Sequence, residues 1–186
     1  MPKTQYFTAT SIDGFIADAD NSLDWLYEAH SADHGEGRWD DFIGAVGAMV
    51  MGATTYEWVL EHERLLEEPE KWHEFYNDIP CWVFTHRELK PIPDAALTFV
   101  QGDVTPVHRA MTEDAGGKNI WLVGGGELVG QFADRGLLDE ILMHVAPVTL
   151  GAGAPLLPRR ITSARLSLVS VEQEAGFAYL TYAVTG

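Results

Sequence analysis

The sequence has one cysteine, Cys81, among its 186 residues. No intramolecular disulfide can form, and nothing points to an oxidising compartment. Cys81 lies in the apolar run Cys81-Trp-Val-Phe-Thr85, where a buried, inert thiol is favoured over a nucleophile. Basic residues are scarce too: 12 Lys and Arg face 28 Asp and Glu, a net charge of -16. A basic patch of useful size cannot be assembled from so few, which argues against nucleic acid or an anionic membrane as partner. No run approaches the roughly 18 apolar residues of a membrane span, and Met1 to Phe7 carries no hydrophobic signal segment, so the expected location is the cytoplasm. Repeats, low-complexity tracts and linkers are absent, and no metal is expected.

What remains is an ordinary globular composition, 46% hydrophobic with a mean hydropathy of -0.06, which fits one domain over residues 1–186. Gln5 to Ile12 reads as a first strand closed by the turn pair Asp13-Gly14, with Phe15-Ile-Ala17 extending it beyond the kink. A short helix follows around Leu23 to Leu26. The polar stretch His30 to Gly37 is long enough to be a lid or substrate wall. Trp39, Phe42, Ile43 and Val46 fall at helical spacing, and Ala48 to Gly52 is a short buried strand leading into a helix over Thr54 to Glu61. Residues 61–78 form an acidic segment whose expected role is solvation. Strands at Cys81 to Thr85 and Leu97 to Val100, a helix from Val104 to Ala115 and a strand from Glu140 to Pro147 come next. A loop spans Val148 to Pro155. Arg165 to Glu172 and Gly176 to Val184 alternate apolar and polar residues as an antiparallel hairpin does. The alternation of strands and helices before a β-rich end predicts an α/β fold: a mainly parallel mixed sheet flanked by helices, with an antiparallel C-terminal hairpin.

The most informative stretch is Asn119 to Asp134. An apolar run ends in Gly124-Gly-Gly126, and Leu128, Val129 and Phe132 continue at helical spacing, which predicts strand, tight turn and helix start. Glycines let backbone approach a ligand closely, and the free N–H groups of a helix start favour an anion. A turn that needs glycine only for close packing fits the triplet equally well. Two other turns, Gly52-Ala-Thr-Thr55 and Thr85-His-Arg87, are expected at the same carboxyl edge of the sheet, where ligands of such folds collect. Three phosphate-friendly turns on one edge suggest a long phosphorylated ligand.

Five spaced motifs carry a family resemblance: Ser11-Ile-Asp-Gly-Phe-Ile-Ala17, Val50-Met-Gly-Ala-Thr-Thr-Tyr-Glu57, Val83-Phe-Thr-His-Arg87, Val123-Gly-Gly-Gly-Glu-Leu128 and Leu138-Asp-Glu-Ile-Leu-Met-His-Val-Ala-Pro147. In this order they resemble the dihydrofolate-reductase-like superfamily, and most closely the C-terminal reductase domain of the bifunctional riboflavin-biosynthesis deaminase/reductase. The resemblance implies a three-layer fold and NADPH lying across the strand ends. Gly52, Thr54 and Thr55 would hold phosphates, Thr85 and Arg87 would flank the adenosine 2′-phosphate, and Val123, Gly124, Gly125, Gly126, Glu127 and Leu128 would cradle the pyrophosphate. It also suggests a strained, cis Gly124–Gly125 peptide. A guanidinium can make two charge-assisted bonds to a phosphate, which would favour NADPH over NADH; Arg87 in a surface salt bridge with the acidic segment is the competing reading. Ala53 departs from the basic residue common in folate reductases after the first glycine.

The substrate end matches less closely. Asp13 would sit at the mouth of the first strand, where the resemblance puts the substrate, although an Asp-Gly turn bonding its own backbone explains it nearly as well. Asp40 or Asp41 would be the helix-borne carboxylate, or simply an exposed first-turn residue. His144 would donate the proton that accompanies hydride transfer, or be a satisfied core histidine. Trp25 and Trp39 would line the pocket unless core packing claims them, and Gly151 and Gly153 would shape its wall. Val129 and His144 stand where folate reductases carry an aromatic and a hydroxyl residue, which makes dihydrofolate a poor first guess. The expected reaction reduces a small heterocyclic or ribosylamino substrate, as in 5-amino-6-(5-phosphoribosylamino)uracil reduction. Dihydrofolate reduction and non-catalytic NADP binding are the alternatives. The apolar hairpin after Arg165 permits a homodimer.

Overall fold

The computed structural model describes residues 2–29 and 36–186. The stretch expected as a lid therefore falls, through residue 35, outside the described residues. Eight strands form the main sheet: β1 (Thr4–Thr10), β3 (Val46–Gly52), β4 (Cys81–Phe84), β5 (Leu97–Val100), β6 (Asn119–Gly124), β7 (Glu140–Val145), β9 (Leu166–Glu174) and β10 (Phe177–Val184). Their order is β5-β4-β3-β6-β1-β7-β10-β9. β1 and β3 to β7 pair in parallel, whereas β10 runs antiparallel to β7 and to β9. Gln5, Glu140 and Ala183 stand side by side across β1, β7 and β10.

The strand sequences are apolar at consecutive positions because both faces of the sheet are covered. On one face Tyr6, Ala48, Val50, Ile120 and Leu122 pack against α5 (Val104–Asp114) and α6 (Gly126–Asp134). On the other, Met49, Met51, Cys81, Val83 and Trp121 pack against α2 (Glu36–Gly44), α3 (Ala53–His62) and α4 (Glu70–Tyr76). The two-residue alternation of each strand thus sorts its side chains into two cores, giving the three-layer α/β fold that the resemblance implies. Among the described residues no helix is long and apolar enough to cross a membrane.

Three expectations need correction. Phe15–Ala17 does not prolong β1; it forms β2, paired antiparallel with β8 (Ala154–Pro155) inside the stretch read as a loop. Val46 opens β3 instead of closing the preceding helix, which ends at Gly44. The early helix, α1, forms as expected and runs Asp24–Ala29. The acidic segment does more than face water: it contains α4, and Leu65 and Trp72 are fully buried beneath its carboxylates. Truncating a buried residue such as Trp72 to Ala costs about 3–5 kcal/mol, so this segment is part of the second core.

Candidate active site

β3 and β6 are neighbours, so the turns that follow them lie side by side at the carboxyl edge. Gly52 is the N-cap of α3 and Gly125 the N-cap of α6, and neither helix start has a side-chain cap. This contrasts with α5, where the Asp103 carboxylate accepts from the Thr105 amide at 2.8 Å. Two helices therefore present uncapped first-turn N–H groups at one place, an arrangement that favours an anion. The Gly124–Gly125 peptide is cis, and Gly124 has φ 144, a conformation that favours glycine. A Cβ built on Gly52 would lie 3.8 Å from the Gly124 carbonyl oxygen, and one on Gly124 would lie 3.8 Å from Thr55 Oγ1. The glycines thus leave the backbone approachable, whereas Gly126 answers a different need. A Cβ there would come within 2.4 Å of the carbonyl oxygens of Pro155 and Leu156, so the turn also requires glycine for packing against β8.

These turns open into a cavity of about 1080 Å³. A single small ligand fills about 300–1,000 Å³, so this volume has room for a cofactor together with a substrate. Gly52, Thr54, Thr55 and the whole of Val123 to Leu128 line one end. Phe7, Trp39, Tyr76, Trp121, His144 and Tyr179 line the other. His144 stands edge-on to Phe7 at 4.5 Å and to Tyr179 at 4.6 Å between ring centroids. It also borders a smaller adjoining cavity of about 340 Å³, shared with Arg38 and Asp41.

Several expected residues lie elsewhere. The Asp13 carboxylate is exposed and accepts from the amides of Gly151 at 2.7 Å and Leu150 at 3.0 Å, and from the Ser11 hydroxyl at 2.7 Å. These bonds, the Ser11 hydroxyl first, lower its pKa to about 2. Asp13 and Gly151 thus pin the 148–151 loop and lie outside the cavity lining. Gly153 has φ 147 and packs so tightly on the Ala17 carbonyl that a Cβ would come within 2.0 Å of it. It shapes the wall from behind, through its neighbours Ala154 and Pro155. Trp25 is buried in a third cluster with Ala146, Phe177 and Tyr179, and Asp40 is exposed outside the lining. Thr85 closes a tight turn with Arg87, and Arg87 donates to Glu57 of α3 at 2.7 Å; neither reaches the cavity. Cys81 is buried, which pushes its thiol pKa far up and leaves it inert.

The model of the RibD C-terminal domain matches residues 2–176. The chain belongs to this family. An uncharacterised relative, YwjB of Bacillus subtilis (strain 168), is 33% identical over 180 residues, covering 97% of each chain. Among solved structures, a putative riboflavin biosynthesis protein from Shewanella sp. PV-4 superposes with a TM-score of 0.79 at 23% identity, over 99% of both chains. Dihydrofolate reductase from Enterococcus faecalis, complexed with NADP(H), gives 0.58 at 13% identity, over 99% of this chain and 97% of that one. At such identities the two structures speak to the fold alone. Membership in the RibD C-terminal family makes the chain reductase-like, and its fold is shared with an NADP(H)-binding enzyme.

Residues that went unnoticed in the sequence complete the cavity. Trp121 was recoverable, since strict alternation along β6 turns it away from Ile120 and Leu122. Tyr27, Trp58 and Tyr76 carry no such signal, because helices far apart in sequence bring them to the same opening.

Proposed function

We propose that this protein is an NADPH-dependent reductase that transfers hydride to a small heterocyclic or ribosylamino substrate. The observation that carries the reading is the pair of uncapped helix starts, α3 and α6, side by side at one end of a cavity that is aromatic at the other. Gly52, Thr54, Thr55 and Val123 to Leu128 would hold the cofactor phosphates. The cofactor, when bound, supplies the hydride. The chain supplies position, dryness and a proton. Among the described lining residues His144 is the one imidazole, and it is the proposed proton donor. Arg87 would read the 2′-phosphate by leaving Glu57. The reading also includes a cytoplasmic setting and a homodimer through the C-terminal strands.

Trp39, Trp58 and Trp121 line the cavity, so cofactor binding is read as quenching of their fluorescence. NADPH is expected to quench at lower concentration than NADH, and indifference to both would sink the reading. Arg87→Ala should weaken NADPH about tenfold while leaving NADH nearly unchanged. Decay of NADPH absorbance with a phosphoribosylaminouracil, with dihydrofolate or with small carbonyl compounds then identifies a reductase. Binding without decay under any of them would leave a non-catalytic NADP-binding protein. His144→Gln is expected to lower turnover about 10²-fold or more with NADPH binding retained.

A further inference from the structure

We propose that the aromatic end of the cavity takes an uncharged, unphosphorylated planar ring bearing a C=O or C=N bond, in preference to a sugar phosphate. This inference rests on the reductase reading of the same cavity. The walls there are aromatic rings set at steep angles to one another, 74° between Trp39 and Trp121 and 53° between Trp39 and Phe7. Trp39 lies 5.4 Å from Trp121 and 6.1 Å from Phe7, and Tyr76 closes the group at 6.1 Å from Trp121. On the rim a planar ring is already held between two others: the His62 imidazole is stacked between Tyr27 and Trp58, at 5.2 and 4.3 Å with interplanar angles of 12° and 15°.

Charge points the same way. Among the described residues that line the cavity there is no Lys or Arg, and Glu127 is the one carboxylate. Residues 30–35 contain two His, one Asp and no Lys or Arg. The guanidiniums nearby are committed to carboxylates. Arg38 donates to Glu172 at 2.6 Å and to Glu174 at 3.0 Å while lying 4.4 Å over the Tyr179 ring, and Arg159 is held by Glu127 and Asp134. A phosphate at the aromatic end would lose its water with no free cation to replace it, inside a protein of net charge -16. The α3 and α6 helix starts serve the opposite end, where the cofactor phosphates belong. A neutral ring meets none of these penalties and gains stacking. For a ring ketone the reaction balances simply: hydride adds to the carbonyl carbon, the C=O π bond breaks, the oxygen takes a proton, and NADPH is oxidised to NADP⁺ as the ketone becomes an alcohol.

Isatin and isatin-5-sulfonate test the charge preference, because they share a ring and a reducible ketone and differ by one permanent negative charge. Tryptophan quenching is measured first on the protein alone and then with NADPH bound. Isatin is expected to bind at least about tenfold more tightly than the sulfonate. Freeing Arg38 with Glu172→Gln and Glu174→Gln should narrow that gap to about threefold by improving the sulfonate alone. Trp39→Leu should weaken isatin about fivefold with an unchanged circular dichroism spectrum. Equal affinities, a preference for the sulfonate, quenching by neither ring, or a gap unmoved by the double variant would each overturn the proposal. NADPH titration of the same sample keeps the two readings apart: failure there with the ring preference intact counts against the reductase alone.

Discussion

The guanidinium of Arg159 holds both carboxylate oxygens of Glu127, at 2.6 and 2.9 Å, in the first turn of α6. Its Nε donates at 2.8 Å to Asp134, the last residue of the same helix. The side chain lies against Gly130, where a Cβ would come within 2.8 Å of it. The hydrogen bond from Arg159 keeps the Glu127 carboxyl below its ordinary pKa, so it is ionised beside the proposed pyrophosphate site.

An ionised carboxylate there suits the helix start but repels a phosphate, and Arg159 offsets it. Arg159→Met is expected to weaken NADPH binding about tenfold, and adding Glu127→Gln should restore most of the loss. Fluorescence titration of the two variants checks this. A double variant no better than the single one would mean that Arg159 acts through packing and not through charge.

Two glycines at the same edge should respond in opposite ways. Gly126→Ala drives a methyl into the Pro155 and Leu156 carbonyls and should cost about 2–3 kcal/mol of stability in urea unfolding. Gly52→Ala meets nothing nearer than 3.8 Å and has φ -83, ψ 164, so the fold should tolerate it. Its methyl borders the proposed phosphate site, and NADPH affinity should fall about tenfold at unchanged stability.

Asp13 predicts an acid-sensitive loop. Its pKa is about 2 in the folded protein and about 3.9 for a free Asp, so it is depressed on folding. The stabilisation is complete above the free value and is lost as pH falls from about 4 towards about 2. The wild type should exceed Asp13→Asn in urea midpoint at pH 6, and the difference should shrink over that window. A difference independent of pH would show that the carboxylate charge is not what ties down Leu150 and Gly151.

The edge strand β9 exposes Leu168, Val169 and Val171, at 54%, 59% and 60%. A bulge opposite Thr181 and Tyr182 pairs Leu168 with Tyr182 and Val171 with Leu180, which places both on one face. We propose that a second copy covers this face, since a long apolar edge is otherwise an aggregation hazard. Light scattering should give a dimer that Leu168→Lys with Val171→Lys converts to a folded monomer. A monomeric wild type would remove the proposal.

Much of the architecture was legible because it follows from local rules. Short apolar strands, glycines before helices and the alternating C-terminal pair all form as read, and the resemblance to the riboflavin-biosynthesis reductase domain is borne out by the match to the RibD C-terminal family. What stayed hidden depends on contacts far apart in the chain. The two amides bound by Asp13 are 137 and 138 positions away. The β2–β8 pair involves a strand of only two residues, too short to show periodicity. The acidic run 61–78 misled because its carboxylates outnumber the two side chains, Leu65 and Trp72, that anchor it.

The side-by-side placement of Gln5, Glu140 and Ala183 has an engineering consequence. β1 begins where β10 ends, with only β7 between them, so the two chain ends leave the same sheet border about 10 Å apart, two strand spacings. A short flexible linker can join them, and the exposed Gly116-Gly117 turn between α5 and β6 offers a place to cut new ends. Such a circular permutant would keep every strand neighbour while making the β6 segment the first to leave the ribosome.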